Sequence, residues 1–447
     1  MLYSVKMIKR VIAIILLAAS TAGIWHHADL IAKRADFAVR QTDASGYIEG
    51  EGEAELEKEF RSKEPDLDAL INSSGMSSDS EFMNSAAELF TELYAFLKDI
   101  VVRGGEVSDP KSAEKQFIEI FNGLFSLDEK LYEKNPELMG ELTNKGFVTA
   151  AIGLVWDLVT VFDNNRVNSQ TMQAGVTRLE DVPYIDDGKN EHMLDIFYPE
   201  NTEEKLPVII DIHGGGLMMG DKDSNRVYCS ILASRGYTVV AVNYRLAPDV
   251  LYDSMVQDIT AAFRWVKENA DEYYIDLDNV FVTGDSAGGN LAYYVPLVNT
   301  SEKLCELYGV EPSGLDIKAL GLVSGMFDMK NGFNAPLISC YLGFDFKNKS
   351  YYEYLQPEEA LPLGELPPSY IVTSQRDFLH ASGVYFDEIL TDMGIEHQFR
   401  DWGMSINRSS GHITSVAYPE LEESQKTIDE MLDFFEAHKY IEQEAEQ

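Results

Sequence analysis

The sequence predicts an α/β fold: a mostly parallel central sheet with helices on both faces, preceded by an N-terminal helical extension. Three observations predict it. From about Val176 to Tyr440 short β-branched runs alternate with amphipathic helical stretches. From Glu81 to about Asn165 only helical spacing is visible. Two glycine-rich turns each follow a strand-like run, at the carboxyl ends where parallel sheets gather their reactive residues.

Length and charge bound the alternatives. A chain of 447 residues implies one large domain plus an accessory region. Hydrophobic residues at 45% and charged residues at 25% argue against global disorder. Lys and Arg number 36 against 75 Asp and Glu, a formal net charge of −39. That excess repels phosphate backbones and anionic membrane surfaces, so no nucleic-acid partner is expected. Cys229, Cys305 and Cys340 include no Cys-x-x-Cys spacing, so neither a disulfide framework nor a zinc ribbon is indicated.

Read in order, residues 1–29 form a signal peptide or membrane anchor. Lys6, Lys9 and Arg10 precede an apolar run from Val11 to Leu17, extended by small residues towards Trp25. The expectation is export, cleaved at Ser20-Thr21-Ala22 or retained as an anchor, with the larger domain outside the cytoplasm. Residues 30–175 form the helical extension, a candidate cap, opening with a Glu-rich solvated stretch from Glu49 to Glu64. Phe82, Leu89, Phe90, Leu93, Tyr94 and Leu97 mark one helix, and Phe117, Ile120, Phe121 and Leu124 a second. Asn144 to Phe162 is a third, too short and too charged at Asp157 to be a membrane span.

Residues 176–447 form the sheet-bearing domain. Strands are expected at Met193–Tyr198, Pro207–His213, Thr238–Tyr244, Val280–Gly284, Ala319–Val323, Tyr370–Ser374 and His397–Trp402. Helices are expected at Ser224–Arg235 and Tyr252–Asn269.

The chemistry concentrates in two turns. Gly284-Asp285-Ser286-Ala287-Gly288 joins the strand-like Val280–Thr283 to the helix-like Asn290–Val295. Such a strand–turn–helix projects the serine hydroxyl above the sheet edge and beside the helix dipole. His213-Gly214-Gly215-Gly216 ends an upstream strand. Its successive glycines free backbone N–H groups to converge on one point, as acyl transfer requires for the developing oxyanion. Gly215 and Gly216, with Ala287 after the nucleophile, are the expected donors. A serine nucleophile needs a base, and the base an orienting acid. Of the eight histidines, His412 lies on the loop after the last strand, where an imidazole can reach back over the sheet. Asp377 sits just past Tyr370–Ser374, and Asp387 is set aside as a helix residue.

Together these motifs resemble the hormone-sensitive-lipase-like family of α/β-hydrolase esterases. The resemblance runs from about Val182 to Glu436 and includes His192–Pro199, His213–Gly216, Tyr244–Pro248, Trp265 and Gly284–Gly289. It implies hydrolysis of small-molecule carboxylic esters of short to medium acyl chains, without metal or organic cofactor. The family's nucleophile, acid and base fall on Ser286, Asp377 and His412. The chain departs from the family pattern at Leu217, at Pro296, which should kink or end its helix early, and at Ile413 and Thr414. The extension over 30–175 is also longer than the family's usual cap. A peptidase or amidase on the same fold, and a non-catalytic surface-anchored binding protein, are the competing readings.

Overall fold

A computed structural model describes residues 67–102, 110–403 and 411–440. The export segment expected at 1–29 and the acidic stretch from Glu49 to Glu64 lie outside the described residues. Among the described residues no helix is long and apolar enough to cross a membrane. The chain forms two compact units: residues through Val159 with Gly332–Phe346, and Thr160–Asn331 with the remainder from Lys347.

The first unit is helical: α1 (Leu67–Ser74), α2 (Ser80–Val102), α3 (Pro110–Lys134), α4 (Met139–Lys145) and the opening turns of α5 (Phe147–Ser169). Spacing of three and four residues puts Phe82, Phe90 and Leu93 of α2, and Phe117, Phe121 and Leu124 of α3, out of water. At the start of α5 the buried Asp128 carboxylate accepts the Phe147 and Val148 amides at 2.7 and 3.1 Å, satisfying donors with no partner inside the helix. Residues 332–346, remote in sequence, complete this unit. Phe344 stacks on Phe125 with ring centroids 5.5 Å apart, and its amide donates to the Thr143 hydroxyl at 3.0 Å.

The second unit is built on one eight-stranded sheet. Its strands are β1 (Val176–Pro183), β2 (Met193–Pro199), β3 (Leu206–Ile212), β4 (Thr238–Val242), β5 (Ile275–Asp285), β6 (Ile317–Val323), β7 (Ser369–Ser374) and β8 (His397–Trp402). Their spatial order is β1-β2-β4-β3-β5-β6-β7-β8. β1 and β2 pair antiparallel at one edge, and every pairing from β4 to β8 is parallel. Alternation sends Ile209, Val239, Phe281 and Tyr370 to one face. There they pack with α6 (Arg226–Ser234) and α10 (Glu422–Ala437), and Phe281 stacks on Phe435 at 4.5 Å. The other face carries α7 (Tyr252–Glu268), α8 (Ala287–Thr300) and α9 (His380–Met393).

Three local expectations need correction. β1 is a strand that polar composition conceals: none of its residues is fully buried, so it shows little of the apolar alternation that marks a strand. β5 begins at Ile275, ahead of the apolar run that announced it, because its first residues pair with Leu206 and Pro207 at the rim of β3. Pro296 neither ends nor shortens α8, which runs on to Thr300. A helix-interior proline costs about 3 kcal/mol, and here every residue from Ala287 to Val298 is buried. Burial on that scale offsets the lost hydrogen bond.

Candidate active site

Parallel pairing decides which loops meet. β3 and β5 are neighbours in register, with Ile212 opposite Gly284, so the turns that follow them emerge side by side. β6, β7 and β8 extend the same edge and bring Ser324, Asp377 and His412 into line with Ser286.

Ser286 occupies the turn from β5 into α8 with φ 54° and ψ −119°, a strained conformation for a residue with a side chain. Backbone bonds hold it there. Its amide donates to Val323 O at 2.9 Å, and its carbonyl accepts the Met326 amide at 2.9 Å. The turn closes only because Gly288 has no side chain: a Cβ there would stand 2.0 Å from Ile212 O. The helix N-terminus is thereby pressed against the end of β3.

The His412 imidazole bridges the other two groups. Its Nε2 lies 2.9 Å from Ser286 Oγ and its Nδ1 2.7 Å from Asp377 Oδ1. Phe378 packs against the imidazole at 4.2 Å. Asp377 is 3% exposed. It accepts the Leu379 amide at 2.8 Å and the Thr373 hydroxyl at 3.3 Å. Burial alone would raise its carboxyl. The adjacent imidazole, the Ser324 hydroxyl and the Leu379 amide outweigh it and hold the group below the ordinary carboxylate range. A carboxylate kept ionised this way fixes the imidazole with Nδ1 as donor, leaving Nε2 to accept from the serine.

The glycine run lies next to this line. Gly215 and Gly216 have φ of 114° and 61°. Among the described residues neither amide donates to a backbone carbonyl. A Cβ on Gly215 would fall 2.0 Å from Met219 O, so the loop's tight fold depends on its absence. Gly214 is held from behind, its amide donating to Asp285 Oδ1 at 3.1 Å. Asn225 Nδ2 joins that carboxyl to Asp211, at 2.8 and 3.0 Å. Burial pushes both carboxyls up, Asp211 to about 7, with the Asp285 charge adding to the rise at Asp211.

His213 takes no part in the bridge. Burial lowers its imidazole, so the ring stays neutral, and it bonds the Gly214 carbonyl at 2.7 Å. It stacks on Tyr244 at 4.5 Å, whose hydroxyl donates to His213 O at 2.9 Å. In the Tyr244–Pro248 segment Arg245 clasps Asp258 at 2.7 Å. Leu217, with φ 65°, is fully buried.

All eleven residues singled out from sequence lie at this edge of the sheet. Those missed were Ser324 and Asn225. Ser324 follows directly on β6, so a search of every residue just past a strand would have found it. Asn225, buried in the turn before α6, carried no such signal.

Similarities to known proteins bear on the family to which the chain belongs. The family profile BD-FAE matches residues 194–377. Carboxylesterase NlhH of Mycobacterium tuberculosis is 30% identical over 234 residues, 49% of this chain and 71% of that protein. Esterase LipI of the same organism is 29% identical over 218 residues, 45% of this chain and 65% of that protein. The crystal structure of Esterase B from Lactobacillus rhamnosis superposes with a TM-score of 0.61 at 28% identity, covering 67% of this chain and 95% of that one. These likenesses, added to a fold and a serine setting established without them, place the chain among the hormone-sensitive-lipase-like esterases of the α/β-hydrolase fold, as an ester-cleaving serine hydrolase.

Proposed function

We propose that the chain hydrolyses carboxylic esters of short to medium acyl chains through an acyl-enzyme on Ser286. His412 takes the proton of the hydroxyl as Ser286 Oγ attacks the ester carbonyl. Asp377 keeps the imidazole in the required tautomer and stabilises the imidazolium. The amides of Gly215, Gly216 and Ala287 receive the oxyanion, with the N-terminus of α8 adding its dipole. The alcohol departs with the proton from His412. Water, deprotonated by the same imidazole, then releases the acid and restores the serine.

The observation that carries this reading is the single imidazole bonded to hydroxyl on one side and carboxylate on the other, at 2.9 and 2.7 Å. The acyl preference is supported by one relative. A crystal structure of Esterase B from Lactobacillus rhamnosis is described as inhibited with a C4-C4 SN3 tributyrin phosphonate, and that chain superposes here with a TM-score of 0.62 at 28% identity. Butyrate esters are therefore the first substrates to try.

The test is Ser286→Ala assayed on p-nitrophenyl acetate, butyrate and longer homologues. Loss of turnover by at least about 10⁴-fold is expected. Turnover kept in the variant rules out Ser286 as nucleophile, and a steady rise in kcat/KM beyond medium acyl lengths rules out the chain-length assignment.

A further inference from the structure

Two residues at the catalytic edge stand in the left-handed backbone region without being glycine, and they are bonded to each other. Ser324, just past β6, has φ 50°, and Ile413, next to the base, has φ 49°. A β-branched residue in that region is a steric outlier that its surroundings must enforce. The Ile413 amide donates to Ser324 Oγ at 3.2 Å. Ser324 is itself fixed, 4% exposed, with its amide on Val372 O at 2.8 Å.

A cavity of about 30 Å³ lies beside the His412 loop, lined by Ser324, Thr373, Trp402, Ser415 and Thr427 among others. A gap in the packing leaves the loop fewer contacts beside that cavity, which adds weight to the hydrogen bond from Ile413.

We propose that Ser324 is a positioning residue: its hydroxyl latches the base loop to the end of β6, and so sets the imidazole between Ser286 and Asp377. This rests on the triad reading above. The hydroxyl ties the Ile413 backbone, which aims the ring, to a residue fixed at the end of a central strand. A displacement of the ring by an ångström is enough to lose much of the rate.

The experiment compares the parent, Ser324→Gly, Ile413→Gly and the double variant on p-nitrophenyl butyrate. Each kcat is referred to the number of serines titrated by a fluorophosphonate, with Tm measured alongside. Glycine accepts the left-handed conformation at position 324, so Ser324→Gly folds while losing the hydroxyl. The expected result is a per-site kcat lower by about 5- to 100-fold, the scale of leaving an amide donor without its partner. KM stays within about twofold, because substrate binding is untouched. Adding Ile413→Gly to Ser324→Gly recovers part of the loss, since a glycine there enters the left-handed region without the strain that the latch otherwise has to hold. A Ser324→Gly kcat per titrated site within about twofold of the parent overturns the proposal. Ser286→Ala runs in parallel: turnover there sinks the triad reading, whereas an inactive Ser286→Ala beside a fully active Ser324→Gly sinks only the latch.

Discussion

Asp285 stands behind the nucleophile rather than beside it, and its carboxyl acts on the glycine run. It is 2% exposed, and its Oδ1 takes the Gly214 amide and the Asn225 side chain. Asp285→Ala therefore frees the loop proposed to present the oxyanion donors while leaving Ser286, His412 and Asp377 in place. The expected effect is a fall in kcat of about 10- to 100-fold with KM little changed, because the oxyanion forms only on the way to the tetrahedral intermediate. Steady-state kinetics on p-nitrophenyl butyrate decide it, and a parent-like kcat would show that Gly214 is held without the carboxyl. The triad candidates were legible in sequence because each follows a strand, where chain order and loop position narrow the choice. The partnership of Asp285 with Gly214 was not. It joins turns after two different strands, and no spacing along the chain encodes which strands are neighbours.

At the scale of elements, the register of β3 against β5 is what lets the two glycine-rich turns meet, and Gly288 is its narrowest point. A methyl group there would meet Ile212 O at 2.0 Å and His213 O at 2.5 Å, both backbone atoms unable to give way alone. Gly288→Ala must therefore push α8 off the end of β3. The prediction is a lower Tm together with loss of fluorophosphonate labelling, read by thermal melts and gel fluorescence. Labelling at the parent rate would mean that the elbow opens without disturbing Ser286. The central strands and the helices covering them were readable from apolar runs and period. β1 was not, because an edge strand with half-buried residues carries no strong alternation. The persistence of α8 through Pro296 was equally hidden, since local propensity argues for a break and only tertiary burial reverses it.

Across the whole molecule, the net charge of −39 sets a background in which further buried negative charge is costly. Asp211 shows where that cost falls. Burial, with Asp285 close by, pushes its carboxyl up to about 7, and among the described residues its Oδ1 has no hydrogen-bond partner. An unfolded aspartate ionises near pH ~3.9. Between that value and about 7 the folded chain holds a proton that the unfolded chain has released. Stability from this site is thus present at low pH and lost as pH rises through the window. Asp211→Asn removes the titration, so its stability relative to the parent should climb from pH 4 to pH 8 in urea melts; a flat difference would contradict the assignment. The two compact units part after Val159, inside α5, where periodicity gives no sign of a boundary. The return of Gly332–Phe346 to the helical unit was not legible either, because the residues that bind it, such as Phe125 and Thr143, lie far away in the chain. The central claim is that ester cleavage passes through a covalent bond to one serine. The direct measurement is acid quench during turnover of p-nitrophenyl butyrate, followed by peptide mapping in a mass spectrometer. The account predicts a single butyryl group on the peptide containing Ser286, absent when His412 is replaced by Ala. Turnover with the acyl group on another residue, or on none, would contradict it.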